Sequence, residues 1–388
     1  MTTVKMVKLG TLIKPAKLQK CGNDNYPVLS MTMHNGLVFQ SDKFKKSVAS
    51  QDKSTYKVVH RNQLVIGFPI DEGVLATQRI TDAGIVSPAY GIWDVDQTKI
   101  IPEFLEYALR CNRAIDYYKA KLRGSTARRR SLPTPTLLEL DVPLPDIEQQ
   151  KLALTTIHHA KNALDSRQAQ FTKLDELIKA RFVEMFEDKN YPYESLINLI
   201  LDGTSLSYGI VQPGNDGTGD MGVLRPVDIV DGKLTMSSIK YIDRSIGEGF
   251  KKTELDGDEL LITVRGTTGI TALTDSRFAG MNVTRGIAVI RYNRKKINSL
   301  YLNAYFNTDE SQRYIQEHTR GATLQQINLS DLRIQRIMLP PLSLQNQFAA
   351  FVEEVDKSKL FVGSAAARKP LDLEFFSKGT VQRPIKEV

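Results

Sequence analysis

The longest regular pattern of apolar positions lies between residues 148 and 186. Ile157, Leu164, Phe171, Ile178 and Met185 recur every seventh residue, and Leu154, Ala160, Leu174 and Leu177 widen the stripe. Charged and amide side chains fill the other faces, and neither Pro nor Gly interrupts the run. The pattern predicts one long amphipathic helix with a coiled-coil-like seam. At 1.5 Å per residue it spans roughly 55–60 Å, more than one small domain needs. It divides the chain nearly in half, and its seam requires a second surface to cover it.

Shorter patterns precede it. The first sixty residues mix β-rich pieces with turn signals at Lys14-Pro15, Gly22-Asn23-Asp24-Asn25 and Asn35-Gly36. Residues 64–68 and 84–93 read as strands. A helix with Pro102 in its first turn follows from Ile101 to about Leu122. Residues 123–130 form a basic loop opened by glycine, and Pro133 and Pro135 keep the next stretch out of a helix. Val142-Pro143-Leu144-Pro145 then leads into the long helix.

The second half replays the first. Glu259-Leu260-Leu261-Ile262 lies 196 residues after Gln63-Leu64-Val65-Ile66, and Gly280 lies 196 after Gly84. Residues 297–306 repeat the helix that starts at Ile101. Arg320-Gly321-Ala322-Thr323 lies 197 after Arg123-Gly124-Ser125-Thr126. The stretch from Met338 to Ala349 lies 196 after that from Val142 to Ala153. Five landmarks in one order at nearly one offset read as a tandem duplication, with a period far too long for a solenoid. Each domain is followed by a helix. Two such helices pack naturally antiparallel, with the domains related by a pseudo-two-fold axis, so that helix length becomes a ruler between two equivalent surfaces.

Composition narrows the class. The 388 residues suit two or three domains, and 41% hydrophobic with 25% charged is ordinary for a soluble globular chain. A net charge of +8 and a pI near 9.2 make a polyanionic partner a natural expectation. Cys21 and Cys111 are two and far apart, which leaves no disulfide framework and no clustered metal site. The N-terminus has no apolar signal region and no run of about 18 apolar residues occurs, so a cytoplasmic protein without a membrane span is expected.

Several motifs invite chemical readings that do not hold. Gly217-Thr218-Gly219-Asp220-Met221-Gly222 fits a dinucleotide loop in letters, but Pro213, Asn215 and Asp216 precede it and Val223-Leu224-Arg225-Pro226 follows. No strand leads in and no helix leads out, so it reads as a surface turn. His158 and His159 are adjacent on a helix and point to different faces, so they do not share a metal. Pro145-Asp146 and Glu148 look like part of a nuclease carboxylate set, but the lysine spacing is wrong and they stand where a helix begins; Asp141 or Asp146 there favours the helix dipole. Neither a P-loop nor an Asn-Pro-Pro-aromatic methyltransferase motif occurs. The chain carries no visible catalytic machinery.

The ordered set of motifs resembles the specificity subunit of a Type I restriction–modification enzyme over about residues 1–360. The resemblance rests on the paired Leu-Pro…Gln helix starts at 142–153 and 338–349 and on the central stretch from Leu174 to Phe186. It rests also on the strand and loop from Gly257 to Gly269 and on the Gly-Ser/Ala-Thr loops at 124–126 and 321–323. It implies a mixed α/β fold: two tandem, pseudo-symmetric DNA target recognition domains separated by long antiparallel coiled-coil helices. Residues 1–147 would be the first domain, 148–188 the central helix, 189–342 the second domain and 343–361 the distal helix. Residues 362–388, broken by Gly363 and Pro370, are an atypical tail that shortens the distal side.

The resemblance further implies double-stranded DNA as ligand, two modification (methyltransferase) subunits and a restriction/translocase subunit as partners, and no catalysis by this chain. S-adenosylmethionine, ATP and Mg would serve the partners. Phosphate contact falls to Arg128, Arg129 and Arg130. Base contact falls to loop residues able to reach base edges: Gln78, Arg79, Tyr90, Arg123, Ser125 and Thr126 in the first half, and Tyr208, Arg265, Thr267, Thr284, Arg285, Arg320, Thr323, Gln325 and Gln326 in the second. Ile157, Leu164, Phe171, Leu174, Ile178, Met185, Phe348, Val352 and Val355 form the partner-binding helix faces. The other reading is a non-catalytic scaffold whose half-domains no longer read DNA. Target sequence and spacer length are not written in a single sequence.

Overall fold

The computed structural model describes residues 4–33, 35–43, 53–122, 132–214, 217, 219–322 and 324–364. It resolves two compact units, one built on Met1–Ser166 and one on Arg167–Ala365.

In the first unit β1 (Met6–Lys8) pairs antiparallel with a strand that arrives much later, and β2 (Ile13–Pro15) begins a four-stranded sheet. That sheet contains β3 (Leu64–Ile66), β4 (Leu75–Thr77) and β5 (Gly91–Val95), in the spatial order β2-β5-β3-β4. Leu64 stands opposite Trp93 on one side and Thr77 on the other. α1 (Pro102–Arg110) starts on a proline, whose missing N–H is no loss in the first turn. It buries Phe104, Leu105, Ala108 and Leu109, the spacing of one helix face. α2 (Asn112–Lys121) adds Ala114 and Tyr118; the Tyr118 hydroxyl donates to the Leu109 carbonyl at 3.1 Å, and burial pushes its pKa far up. β6 (Asp141–Pro143) closes on β1, and α3 (Ile147–Phe186) follows as one uninterrupted helix. Asp146 caps it by accepting the Gln149 N–H at 2.8 Å.

The second unit repeats the plan. β7 (Tyr193–Ser195) will pair with the last strand as β1 does with β6. β8 is extended from Leu260 to Leu273, yet Thr274 N–H donates to the Glu259 carbonyl at 2.9 Å. A straight strand of that length would hold those ends more than 40 Å apart, at about 3.3 Å per residue. The run therefore doubles back, through Gly266 and Gly269 at positive φ (88° and 85°), and reproduces the β3–β4 hairpin. β9 (Ile287–Ile290) pairs with β8, Leu260 opposite Ile290, as β5 pairs with β3. α4 (Ser299–Phe306) and α5 (Asp309–His318) follow, then β10 (Gln325–Gln326) on the other side of β8, and β11 (Arg336–Met338) on β7. α6 (Leu342–Ser364) ends the described chain. The tandem duplication is therefore visible as shared strand order and not only as a sequence offset.

A buried glutamine fixes the start of each long helix. Gln150 accepts the Ile101 N–H through Oε1 at 2.8 Å, and its Nε2 donates to the carbonyls of Lys99 (3.0 Å) and Pro145 (2.9 Å). Gln345 accepts the Asn298 N–H at 2.9 Å and donates to the carbonyls of Lys296 (3.4 Å) and Pro340 (2.8 Å). Both side chains are fully buried. One amide thus joins the helix start to the turn that launches α1 or α4.

The long helix is not covered evenly along its seam. Ile157 and Leu154 pack on the first unit's core, and Leu164 stays 65% exposed. Phe182 and Phe186, which lie off the seven-residue repeat, are the most buried apolar residues of its last turns. Phe182 stacks on Tyr301 at 5.6 Å and meets Phe348 edge-on at 5.5 Å. Ile178 and Met185 flank this cluster, while Phe348 and Val352 belong to it. The reason is geometric: α3 meets α4 as well as α6 here, so its buried face is wider than a two-helix seam. Further along, Lys359, nearly buried, pairs with Asp175 at 2.7 Å and Asp356 at 3.1 Å.

Two predictions follow from these contacts. Gln150→Ala removes the partner of a buried carbonyl and of a part-buried N–H and carbonyl, at roughly 1–3 kcal/mol for the buried group left unpaired and less for the others. Amide exchange at Ile101 should accelerate by at least tenfold; unchanged exchange would show that the clamp carries no stability. For Lys359, burial lowers the pKa, but the hydrogen bonds its ammonium donates to Asp175 and Asp356, with their charges, outweigh it and the net shift is upward. Its contribution is therefore present in full below the unfolded lysine value of about 10.4 and is lost as pH rises through the raised folded value. Asp175→Asn should destabilise the second unit at pH 8, with the difference from wild type in urea titrations shrinking once pH rises past the raised folded value.

Candidate nucleic-acid interface

In the second unit the chain brings most of the candidate residues to one end of the β9-β8-β10 sheet. Arg265 and Gly266 of β8 lie opposite Gln326 and Gln325 of β10. Arg320 closes the loop before β10 with two backbone bonds to Gln326, both 2.8 Å. On the other side, Val264 N–H donates to the Gly286 carbonyl at 2.8 Å, which sets Thr284 and Arg285 beside Arg265. Arg285 N–H donates to the Ile210 carbonyl at 2.9 Å and Thr284 N–H to the Leu224 carbonyl at 2.8 Å. Tyr208, bridged to Ala288, is part of the same neighbourhood. Thr267 sits at the exposed tip of the hairpin.

The glycines there have a physical reason. Gly266 has φ 88°, a conformation in which a side chain is strained. At Gly286 a Cβ would come within 2.7 Å of Pro226 Cγ. The turn is therefore held close under Pro226, and the residues it presents are fixed at the backbone. Arg320 is 72% exposed with a loose ion pair to Asp331 at 3.6 Å.

The first unit distributes its candidates differently. Tyr90 precedes β5 at the Ile66 end of the sheet, half-buried, and burial raises its pKa. Gln78 and Arg79 follow β4 at the opposite end, beside Leu64 and Trp93. Gln78 is fully buried: its Nε2 donates to the Thr81 carbonyl at 2.6 Å, and its Oε1 accepts the N–H groups of Ile80 (2.8 Å) and Thr81 (3.3 Å). Arg79 pairs with Glu103 at 2.6 Å and Glu106 at 3.6 Å. These two side chains are engaged in their own loop and with α1. Arg123, Ser125, Thr126, Arg128, Arg129, Arg130 and Thr323 lie outside the described residues.

The other motifs take structural places. His158 meets Glu103 at 2.9 Å and so ties α3 to α1. Gly217 N–H donates to the Tyr241 carbonyl, and the glycine-rich stretch runs into a strand at Met221–Leu224, with no helix opened. Among the described residues no group of three or more His, Cys, Asp or Glu is placed to hold a metal, and no helix is long and apolar enough to cross a membrane. Sequence reasoning passed over Gln150 and Gln345 as functional positions, although their identical spacing after Leu-Pro in both halves was a usable signal.

Residues 218–361 match the family described as Type I restriction modification DNA specificity domain. The specificity subunit of the Type I restriction enzyme EcoBI from Escherichia coli is 22% identical over 387 aligned residues, covering 86% of this chain and 80% of that one. A putative specificity subunit of Type I restriction enzyme MjaX from Methanocaldococcus jannaschii is 22% identical over 273 residues, covering 67% and 63%. Among solved structures, a chain from a study of complex assembly and conformational transition of the type I R-M system superposes with TM-score 0.54 at 16% identity, covering 97% of this chain and 94% of that chain. The Type-I restriction-modification S subunit from M. genitalium gives TM-score 0.52 at 11% identity, covering 97% and 95%. The matched domain contains the whole sheet end described above, Tyr208 and Ile210 excepted.

Gln78→Ala should act on the fold. It removes three part-buried hydrogen bonds that the buried Gln78 side chain makes across its turn, at roughly 1 kcal/mol each. The first unit should then unfold at lower urea concentration while the second unit's transition stays in place. Equal transitions in variant and wild type would show that the turn does not need this amide.

Proposed function

We propose that this chain is the DNA sequence-specificity subunit of a Type I restriction–modification complex. It recognises a bipartite DNA site, one half by each unit, and performs no catalysis itself. The observation that carries this reading is the convergence of Arg265, Thr267, Thr284, Arg285, Arg320, Gln325 and Gln326 on one exposed sheet end inside the matched specificity domain. Arginine, amide and hydroxyl side chains are those that match base edges in the major groove. The adaptor reading is not favoured, because it gives this cluster no task.

Partners follow from the same reading. DNA is the ligand, and methyltransferase and restriction subunits are the protein partners; we place two methyltransferase subunits on the long helices, near the exposed Leu164 and the half-buried Phe171 and Leu174. S-adenosylmethionine, ATP and Mg serve the partners' chemistry, and the complex works in the cytoplasm.

Arg128, Arg129 and Arg130 are assigned to phosphates. Binding to duplex DNA should weaken with salt with a log–log slope of about −0.9 per phosphate neutralised. Replacing all three with Ala should weaken cognate and random duplexes alike and flatten that slope. Loss of discrimination at a single base pair, with the slope unchanged, would instead make the cluster a base reader.

A further inference from the structure

Most arginines of the second unit are already committed. Arg225 holds Asp228, Arg277 holds Asp275, Arg291 holds Glu259, Arg294 holds Asp258, and Arg333 donates to the Leu206 carbonyl. Arg265 and Arg285 differ. Among the described residues neither guanidinium has a hydrogen bond or an ion pair; Arg285 is exposed and Arg265 half-buried. Yet their backbones are tied to neighbouring segments. Arg265 is paired to Gln326, and Arg285 stands between Thr284 and Gly286, each bonded across to another strand or segment. The two residues are neighbours across β8 and the turn before β9.

Two arginines without a partner on neighbouring backbone positions offer charge to an acceptor at little cost in broken contacts. What kind of acceptor is indicated by what is missing. No lysine occurs in residues 203–214, 260–274, 279–290 or 319–335, the segments that build this end of the sheet, although lysine is frequent elsewhere in the chain. A surface that only neutralises phosphate can use lysine, which acts as a point charge, as well as arginine, whose fork also grips phosphate. A surface restricted to arginine selects the planar fork, which binds two acceptors in one plane. In the major groove that pattern is the O6 and N7 of guanine. The neutral neighbours Thr267, Thr284, Gln325 and Gln326 fit base edges in the same way. The first unit has no counterpart: at the 196-residue offset Pro69 and Ala89 stand where Arg265 and Arg285 do.

We infer that Arg265 and Arg285 are the guanine-reading pair of the second unit, so that the half-site it recognises contains guanine and the other half-site is read by different chemistry. The inference rests on the DNA-reading function proposed above.

The test is selection from a randomised duplex library by the full chain, alone and co-purified with a methyltransferase subunit. Wild type, Arg265→Ala, Arg285→Ala, Arg265→Lys and Arg285→Lys are compared. The expected wild-type result is a bipartite motif with guanine in one half. Each Ala variant should lose the preference at a guanine of that half by about 10- to 100-fold, with the other half unchanged as an internal control of folding. Each Lys variant keeps the charge and the salt slope but loses most of that preference. A uniform loss over all positions, with a slope flatter by about one phosphate in the Ala variants and restored in the Lys variants, overturns the inference in favour of phosphate contact. An unchanged motif, or one without guanine in the affected half, also overturns it while the specificity function stands. A wild-type chain that enriches no motif removes the specificity function itself and this inference with it.

Discussion

The buried amide at the start of each long helix is the constraint on which the rest of the chain depends. A glutamine side chain offers two donors and one acceptor role in a fixed plane. Gln150 and Gln345 use both kinds at once, on a backbone N–H and two carbonyls that no secondary structure would otherwise satisfy. Buried backbone groups must be paired, so the turn before α1 or α4 and the first turn of the long helix can close together only in this way. The helix direction relative to each core is thereby set at its root. Phe182, Phe186, Tyr301 and Phe348 then add aromatic contacts of 5.0–5.7 Å at the far end of α3.

Charge is arranged by the same logic of satisfaction. Glu106 is nearly buried and receives the Thr77 N–H and hydroxyl, with Arg79 and Arg110 beside it. Glu259 is nearly buried and receives the N–H groups of Asp256, Gly257 and Asp258, with Arg291 alongside. A carboxylate in such a place is tolerable only when fully hydrogen-bonded. These acids absorb the nearby arginines. The net charge of +8 is therefore a poor guide to where a polyanion would bind; the uncommitted cations are the informative ones.

The parts of the fold that were legible in the sequence are those governed by period and offset. The unbroken run at Ile147–Phe186 followed from a stripe without Pro or Gly. The two units followed from landmarks 196 residues apart, and the sheet order repeats accordingly. The sheet end at Arg265, Arg285 and Gln326 was legible in composition only; strand register was needed to bring those residues together. Gln78 and Arg79 show the opposite failure. Polar residues after a strand look like loop readers, but β4 runs antiparallel to β3, so its end points away from the end that carries Tyr90. The heptad reading of α3 missed Phe182 because contact with a third helix widens the buried face beyond what a two-helix repeat encodes.

The two copies within this one chain also separate what the fold requires from what it leaves free. At the helix root the glutamine side chain is fully buried, its missing bonds would be costly, and the same residue type makes the same three bonds in both units. At the hairpin tip Arg285 and Ala89 are exposed and Arg265 and Pro69 half-buried, and substitutions at surface positions change stability by only a few tenths of a kcal/mol, typically within about ±0.5. There the copies differ outright: Arg265 and Arg285 in one, Pro69 and Ala89 in the other. A surface that can change without disturbing the core is the kind on which sequence preference can be altered independently in each half. The buried glutamine and the unpaired arginines thus mark the two ends of one design, the first fixed by desolvation and the second largely released from it.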